Sequence, residues 1–179
     1  MEPIHYITSA ILDLDIIRDI IDNNMKLALS EEARLNITKS RKYLDQKIKE
    51  SDVPIYGINT GFGALCNVKI TSEKLTILQE NLVKSHACGT GERVSKSIIR
   101  LMLLLKIQSL SYGNSGVALE TTERLIDFFN EDILPVVYEQ GSLGASGDLA
   151  PLAHLALPLI GEGEVYYNNE IISGASILE

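Results

Sequence analysis

Between Gly141 and His154 the chain reads Gly-Ser-Leu-Gly-Ala-Ser-Gly-Asp-Leu-Ala-Pro-Leu-Ala-His, a small-residue loop that passes straight into an apolar stretch. Gly141, Gly144 and Gly147 allow positive φ and tight bending without the penalty a β-carbon brings. Within the loop, Ala145-Ser146-Gly147 has an option besides turning. The Gly147 amide nitrogen can attack the Ala145 carbonyl carbon and close a five-membered ring. Loss of water from the ring and from the Ser146 side chain then leaves a methylidene-imidazolone, an electrophile that no natural side chain offers. The competing reading is a glycine-rich turn in which Asp148 or Ser146 caps the next helix and holds an anion there. For a lone Ala-Ser-Gly the turn is the default, so the surrounding sequence decides.

Composition narrows the setting. At 179 residues the chain is about one domain, able to bury ~70% of its unfolded surface. With 45% hydrophobic and 22% charged residues it reads as globular. Sixteen basic residues, scattered, against twenty-four acidic ones give a net charge of -8, which argues against nucleic acid or an anionic membrane as partner. Cys66 and Cys88 have neither CxxC spacing nor a histidine cluster beside them, so no metal site and no disulfide framework is expected. A reduced, cytoplasmic setting fits, and Met1-Glu2-Pro3-Ile4-His5 lacks the regions of a signal peptide. The most apolar stretch, Ile98 to Ile107, carries Arg100 and Lys106 and falls short of the ~20 residues of a membrane span, so it is expected to be a core helix.

Along the chain the dominant period is helical. Ile16, Ile17, Ile20 and Ile21 predict a helix within Leu12 to Asn24, capped by Asp13 or Asp15. Met25 to Leu29 alternates as a strand. Ser30 then caps a helix to about Glu50 whose face carries Ala33, Ile37, Leu44 and Ile48. Pro54 ends it. Ile55 to Gly63 reads as a mobile glycine-spaced loop holding Tyr56; a dinucleotide loop is excluded because GxGxxG is absent and no βαβ unit surrounds it. Thr71 or Ser72 is expected to cap a helix with Leu75, Leu78, Leu82 and Val83, His86 in its last turn. Further helices are predicted from Ser95 or Ser97 to Ser109, from Val117 to about Asn130, and from Asp148 to Leu159 with Pro151 in the first turn. His154, inside the last of these, reads as structural. Glu164 to Ile172 predicts a hairpin around Asn168-Asn169, with another element beginning at Ser173-Gly174-Ala175-Ser176. The expected fold is mainly α: a small mixed N-terminal region leading into the first long helices of a bundle, with one short β-hairpin near the C-terminus. Residues 1–112 form the N-terminal region and 113–179 begin a central helical domain.

Three ordered blocks carry a resemblance. They are Tyr56-Gly57-Ile58-Asn59-Thr60-Gly61-Phe62-Gly63, then Leu78-Gln79-Glu80-Asn81-Leu82-Val83-Lys84-Ser85-His86-Ala87-Cys88-Gly89, then Gly144-Ala145-Ser146-Gly147-Asp148-Leu149-Ala150-Pro151-Leu152. From about Leu12 to Glu179 the chain resembles the aromatic amino acid ammonia-lyases and aminomutases, and most closely their histidine-specific members. The resemblance implies that Ala145, Ser146 and Gly147 cyclise autocatalytically to the methylidene-imidazolone, with no external cofactor and no metal. It implies that Tyr56 is the base that takes the substrate's β-proton. A free phenol ionises near pH ~10, so such a site must favour phenolate. It implies that His86 lines the pocket for the substrate's ring, and a histidine here leans toward L-histidine, giving urocanate and ammonia, with a tyrosine ammonia-lyase or aminomutase as the alternative. The implied partners are a small amino acid and further copies of the chain, as a homotetramer in the complete enzyme.

Several positions depart from the family pattern. Arg93 and Tyr138 stand where relatives often have proline, Lys106 for arginine, Gln108 for asparagine and Ala118 for arginine. None falls on the cyclising triad or on Tyr56. Family members run to several hundred residues, with the substrate-carboxylate arginine and most of the bundle beyond the equivalent of Glu179. Two expectations follow: the chain is the N-terminal portion of a lyase whose activity belongs to the complete enzyme, or it is a catalytically silent fragment that exposes the apolar faces of its helices.

Overall fold

A computed structural model describes residues 3–50, 53–141 and 146–178. In chain order its elements are β1 (Ile4–Ile7), α1 (Leu14–Asp22), β2 (Lys26–Leu29), α2 (Glu31–Glu50), α3 (Leu75–His86), β3 (Thr90–Arg93), α4 (Lys96–Ser111) and α5 (Leu119–Asn130). They continue with β4 (Leu134–Pro135), β5 (Tyr138–Gln140), α6 (Leu149–Ala156), β6 (Glu164–Tyr167), β7 (Glu170–Ser173) and α7 (Ala175–Leu178). Short 3₁₀ turns lie at Gly63–Leu65, Ser72–Lys74 and Leu157–Ile160. The fold is mainly α with small strands, as the periodicities predict. It divides into two compact units, Met1–Lys49 with Lys96–Leu134, and Glu50–Ser95 with Pro135–Glu179.

In the first unit, local chemistry sets the helix starts. Asp13 is extended and its carboxylate accepts from the Ile16 amide at 2.8 Å, filling one of the orphan donors of α1. The Ser30 hydroxyl does the same for Ala33 at the start of α2, where Glu31 and Glu32 favour the positive end of the helix dipole. Asp13→Ala is therefore expected to cost ~1 kcal/mol in urea unfolding, with no change in the rest of the fold. The sequence reading lacks β1, which pairs in parallel with β2 across α1 from Ile4 opposite Lys26 to Ile7 opposite Leu29. The Asn130 side chain extends that sheet: its amide donates to Leu27 O at 2.9 Å and its oxygen accepts from Leu27 N at 2.7 Å. Ile99, Leu103, Leu104 and Ile107 of α4 are buried with Ile7, Ile20, Ile37, Phe128 and Phe129, so the apolar stretch is a core helix as predicted. Gln108 is buried too, and its amide closes the Thr8 and Ala10 carbonyls at 2.9 and 3.2 Å. No helix of the described residues is long and apolar enough to cross a membrane.

The second unit has a thinner core, built on Val136, Val137, Ala150, Ala153, Leu155 and Val165. β3 pairs antiparallel with β5, with a register shift between Thr90 and Arg93. β6 and β7 form the predicted hairpin, and Asn168 (φ 48°) and Asn169 (φ 65°) take the two positive-φ positions that a two-residue turn requires. Helix boundaries differ from expectation by two residues at the end of α4 and the start of α5, and at two others the backbone turns 3₁₀. Residues 72–74 form a 3₁₀ turn, so the α-helix begins only at Leu75 and without a side-chain cap. The helix after the small-residue loop ends at Ala156 and tightens to 3₁₀ over Leu157–Ile160, because Pro158 has no amide to donate to the turn before it.

Candidate active site

Every described residue singled out for chemistry lies in the second unit. The Tyr56 loop is a series of turns held from within by two buried polar residues, Asn59 and Thr60. The Asn59 oxygen accepts from the Ile55 amide at 2.6 Å, and its own amide donates to Val53 O at 3.4 Å. Gln79, on α3, donates to the Gly57 and Ile58 carbonyls at 3.0 and 2.9 Å, anchoring the loop to the helix that ends in His86. The reading of this segment as a mobile loop thus meets a base tied by side-chain amides, while Tyr56 itself stays 62% exposed.

The loop delivers Tyr56 to a row of rings. Tyr56 lies 5.6 Å from Phe62, and Phe62 meets His86 edge-on at 5.1 Å. Phe62 therefore joins two side chains that the sequence reading treats separately. Among the described residues the Tyr56 hydroxyl has one long contact, at 3.5 Å from the Gly63 amide. At His86, Nδ1 lies 2.7 Å from the Leu82 carbonyl. A carbonyl only accepts, so Nδ1 carries the proton and Nε2 of the neutral ring is the lone-pair nitrogen. No described residue bonds that Nε2.

Of the small-residue loop, Ser146 and Gly147 are described and Ala145 lies outside the described residues. Both are exposed bends, Gly147 at φ 71° with no described residue within 4 Å of where a β-carbon would stand. Asp148 occupies the N-cap position of α6 without a side-chain hydrogen bond, so the capping role read as the alternative is not made. Among the described residues, no hydrogen bond or ring contact links Ser146 or Gly147 to Tyr56 or His86.

His154 is buried on α6. Its Nε2 accepts the Gly89 amide at 2.9 Å, and Tyr138 packs edge-on against it at 5.2 Å. Burial holds its pKa below the ordinary 6.5. His5, in the first unit, moves the same way, burial outweighing the Asp19 carboxylate. Both rings then take up protons more readily in the unfolded chain. Stability is full above pH 6.5 and falls as the pH drops from there toward the folded-state values. The urea midpoint is expected to fall between about pH 7.5 and about pH 5.5, less steeply in His154→Gln.

The comparisons agree on one family. The family model for aromatic amino acid lyases matches residues 12–179. The histidine ammonia-lyase of Clostridium tetani is 48% identical over 154 residues, covering 86% of this chain and 30% of that relative. Among solved structures, histidine ammonia-lyase from Trypanosoma cruzi aligns with a TM-score of 0.84 at 32% identity, over 98% of this chain and 34% of its own. Tyrosine aminomutase from Streptomyces globisporus aligns with a TM-score of 0.86 at 31% identity, over 98% and 32%. The chain thus spans about a third of the length of the relatives it matches.

Proposed function

Because the chain belongs to the aromatic amino acid lyase family, we propose that it is the N-terminal part of a cytoplasmic, homotetrameric histidine ammonia-lyase that eliminates ammonia from L-histidine to give urocanate. In this reading residues 113–179 begin the central helical domain of the complete enzyme. The observation that carries it is the ring series Tyr56, Phe62, His86, which gathers the assigned base and the assigned ring contact into one cluster.

Ala145, Ser146 and Gly147 provide the atoms of the methylidene-imidazolone, and Gly147 stands at φ 71°, where a residue without a β-carbon is unstrained. Once formed, that group supplies the electrophile that makes the amino group a competent leaving group. Tyr56, as phenolate, takes the β-proton, a proton of very low acidity; among the described residues its oxygen has one long contact and so is open to substrate. His86, oriented by its Nδ1–H bond to Leu82, presents Nε2 to the imidazole of the substrate as acceptor, or as donor when protonated. Phe62 packs against both rings and joins them.

The complete enzyme is expected to convert L-histidine to urocanate, followed by the product's ultraviolet absorbance. Turnover of L-tyrosine with none of L-histidine would overturn the substrate assignment in favour of the tyrosine-acting relatives.

A further inference from the structure

We infer that His154 is a positioning residue, whose Nε2 lone pair holds the Gly89 amide and thereby fixes the turn after His86 against the helix that leaves the small-residue loop. The inference concerns how the site proposed above is held together, and it rests on that reading for its catalytic consequence only.

Three pieces of backbone meet at this imidazole. Gly89 follows α3 by three residues, Tyr138 opens β5 on the way into the small-residue loop, and His154 sits on the helix that leaves it. Space at the junction is used up. A β-carbon on Gly89 would come within 2.9 Å of His154 Nε2 and 3.2 Å of the Tyr138 β-carbon. One on Gly141 would come within 2.8 Å of the Gly89 α-carbon and 2.9 Å of the Cys88 carbonyl oxygen, and Gly141 itself stands at φ 124°. Both sides of the loop and the turn after His86 therefore share one close-packed point, and the 2.9 Å bond to Gly89 is its only side-chain hydrogen bond to a backbone amide among the described residues.

That bond needs a neutral ring. Protonation would turn Nε2 from acceptor to donor and set it against the Gly89 N–H. Burial favours the neutral form. On the elements that pack against α6 the titratable groups are Glu80, Lys84 and His86 of α3 and Tyr138 and Glu139 of β5. Of these only Tyr138 makes a ring contact with His154, while Lys84 is engaged by Glu162 at 2.6 Å. His86 is fixed to its own helix through Leu82, so its place relative to Ser146 and Gly147 depends on where the end of α3 is held.

The test compares His154→Phe, which keeps an aromatic ring and removes the acceptor, with His154→Gln, which offers a carbonyl oxygen in its place, both in the complete protein. Hydrogen exchange resolved at Gly89 is expected to quicken about five- to tenfold in the Phe variant, the worth of one hydrogen bond, and to return toward wild type in the Gln variant. KM for L-histidine is expected to rise by about the same factor in the Phe variant, with kcat less affected, and to be restored by Gln. Unchanged Gly89 protection in a folded Phe variant overturns the inference. If the Phe variant does not fold, the wild-type protein decides: protection at Gly89, corrected for intrinsic exchange, is expected to decline as the pH is lowered from the ordinary 6.5 through the ring's depressed folded-state pKa, and a flat profile overturns the inference. A wild-type enzyme without turnover would count against the proposed function, while the exchange data would still decide the role of His154.

Discussion

Ser146→Ala is expected to lower kcat of the complete enzyme by at least ~10³-fold, about 4 kcal/mol of barrier, while leaving its thermal unfolding unchanged within ~0.5 kcal/mol. The second dehydration of the loop expels the Ser146 oxygen, so alanine leaves a ring that cannot become the electrophile, and no neighbouring side chain can replace it. Stability is spared because Ser146 is exposed and its hydroxyl is bonded to no described residue. A serine that was only capping α6 would behave otherwise: its loss would cost ~1 kcal/mol of stability and little activity. Steady-state kinetics beside a melting curve separate the two.

The second large effect is at Tyr56. Tyr56→Phe is expected to reduce kcat by ~10²- to 10⁴-fold with KM little changed, the signature of a group that acts in the transition state. The phenylalanine keeps the ring that lies 5.6 Å from Phe62 and, among the described residues, gives up the long 3.5 Å contact with the Gly63 amide. Folding and the placement of His86 are therefore preserved, and the lost proton acceptor is isolated. A tenfold rise in KM with unchanged kcat would instead make Tyr56 a binding residue. Tyr56→Ala is a poorer test, since it also removes the outer ring of the series.

What was legible in the sequence follows from how local its cause is. Asp13 and Ser30 cap helices because the bond they make reaches only three residues ahead. Asn168 and Asn169 specify their turn because both tolerate positive φ. β3 was illegible for the opposite reason: Thr90-Gly91-Glu92-Arg93 is exposed throughout and carries no alternation, so its strand exists only through pairing with β5, more than forty residues away. β1 likewise depends on a parallel partner beyond α1. Pro158 was a local signal for the break in the last long helix, and apolar periodicity on both sides masked it.

The site divides in the same way. Tyr56 and His86 stand in ordered blocks of sequence, whereas their connection through Phe62 is a matter of ring geometry. His154 sits on the apolar face of a helix, where its spacing resembles that of a core residue, and its partner is a backbone amide with no side chain to betray it. The available clue was Gly89. It is not among the glycines at positive φ, so close approach rather than turn geometry accounts for it.

The central claim is that Ala145, Ser146 and Gly147 become one group. The most direct measurement is the mass of the peptide spanning these three residues, cut from the complete enzyme in its active form. Its mass is expected to lie two waters below that of the encoded sequence, and the deficit to be lost in part or whole in Ser146→Ala. An active enzyme whose peptide carries its full, unmodified mass would contradict it.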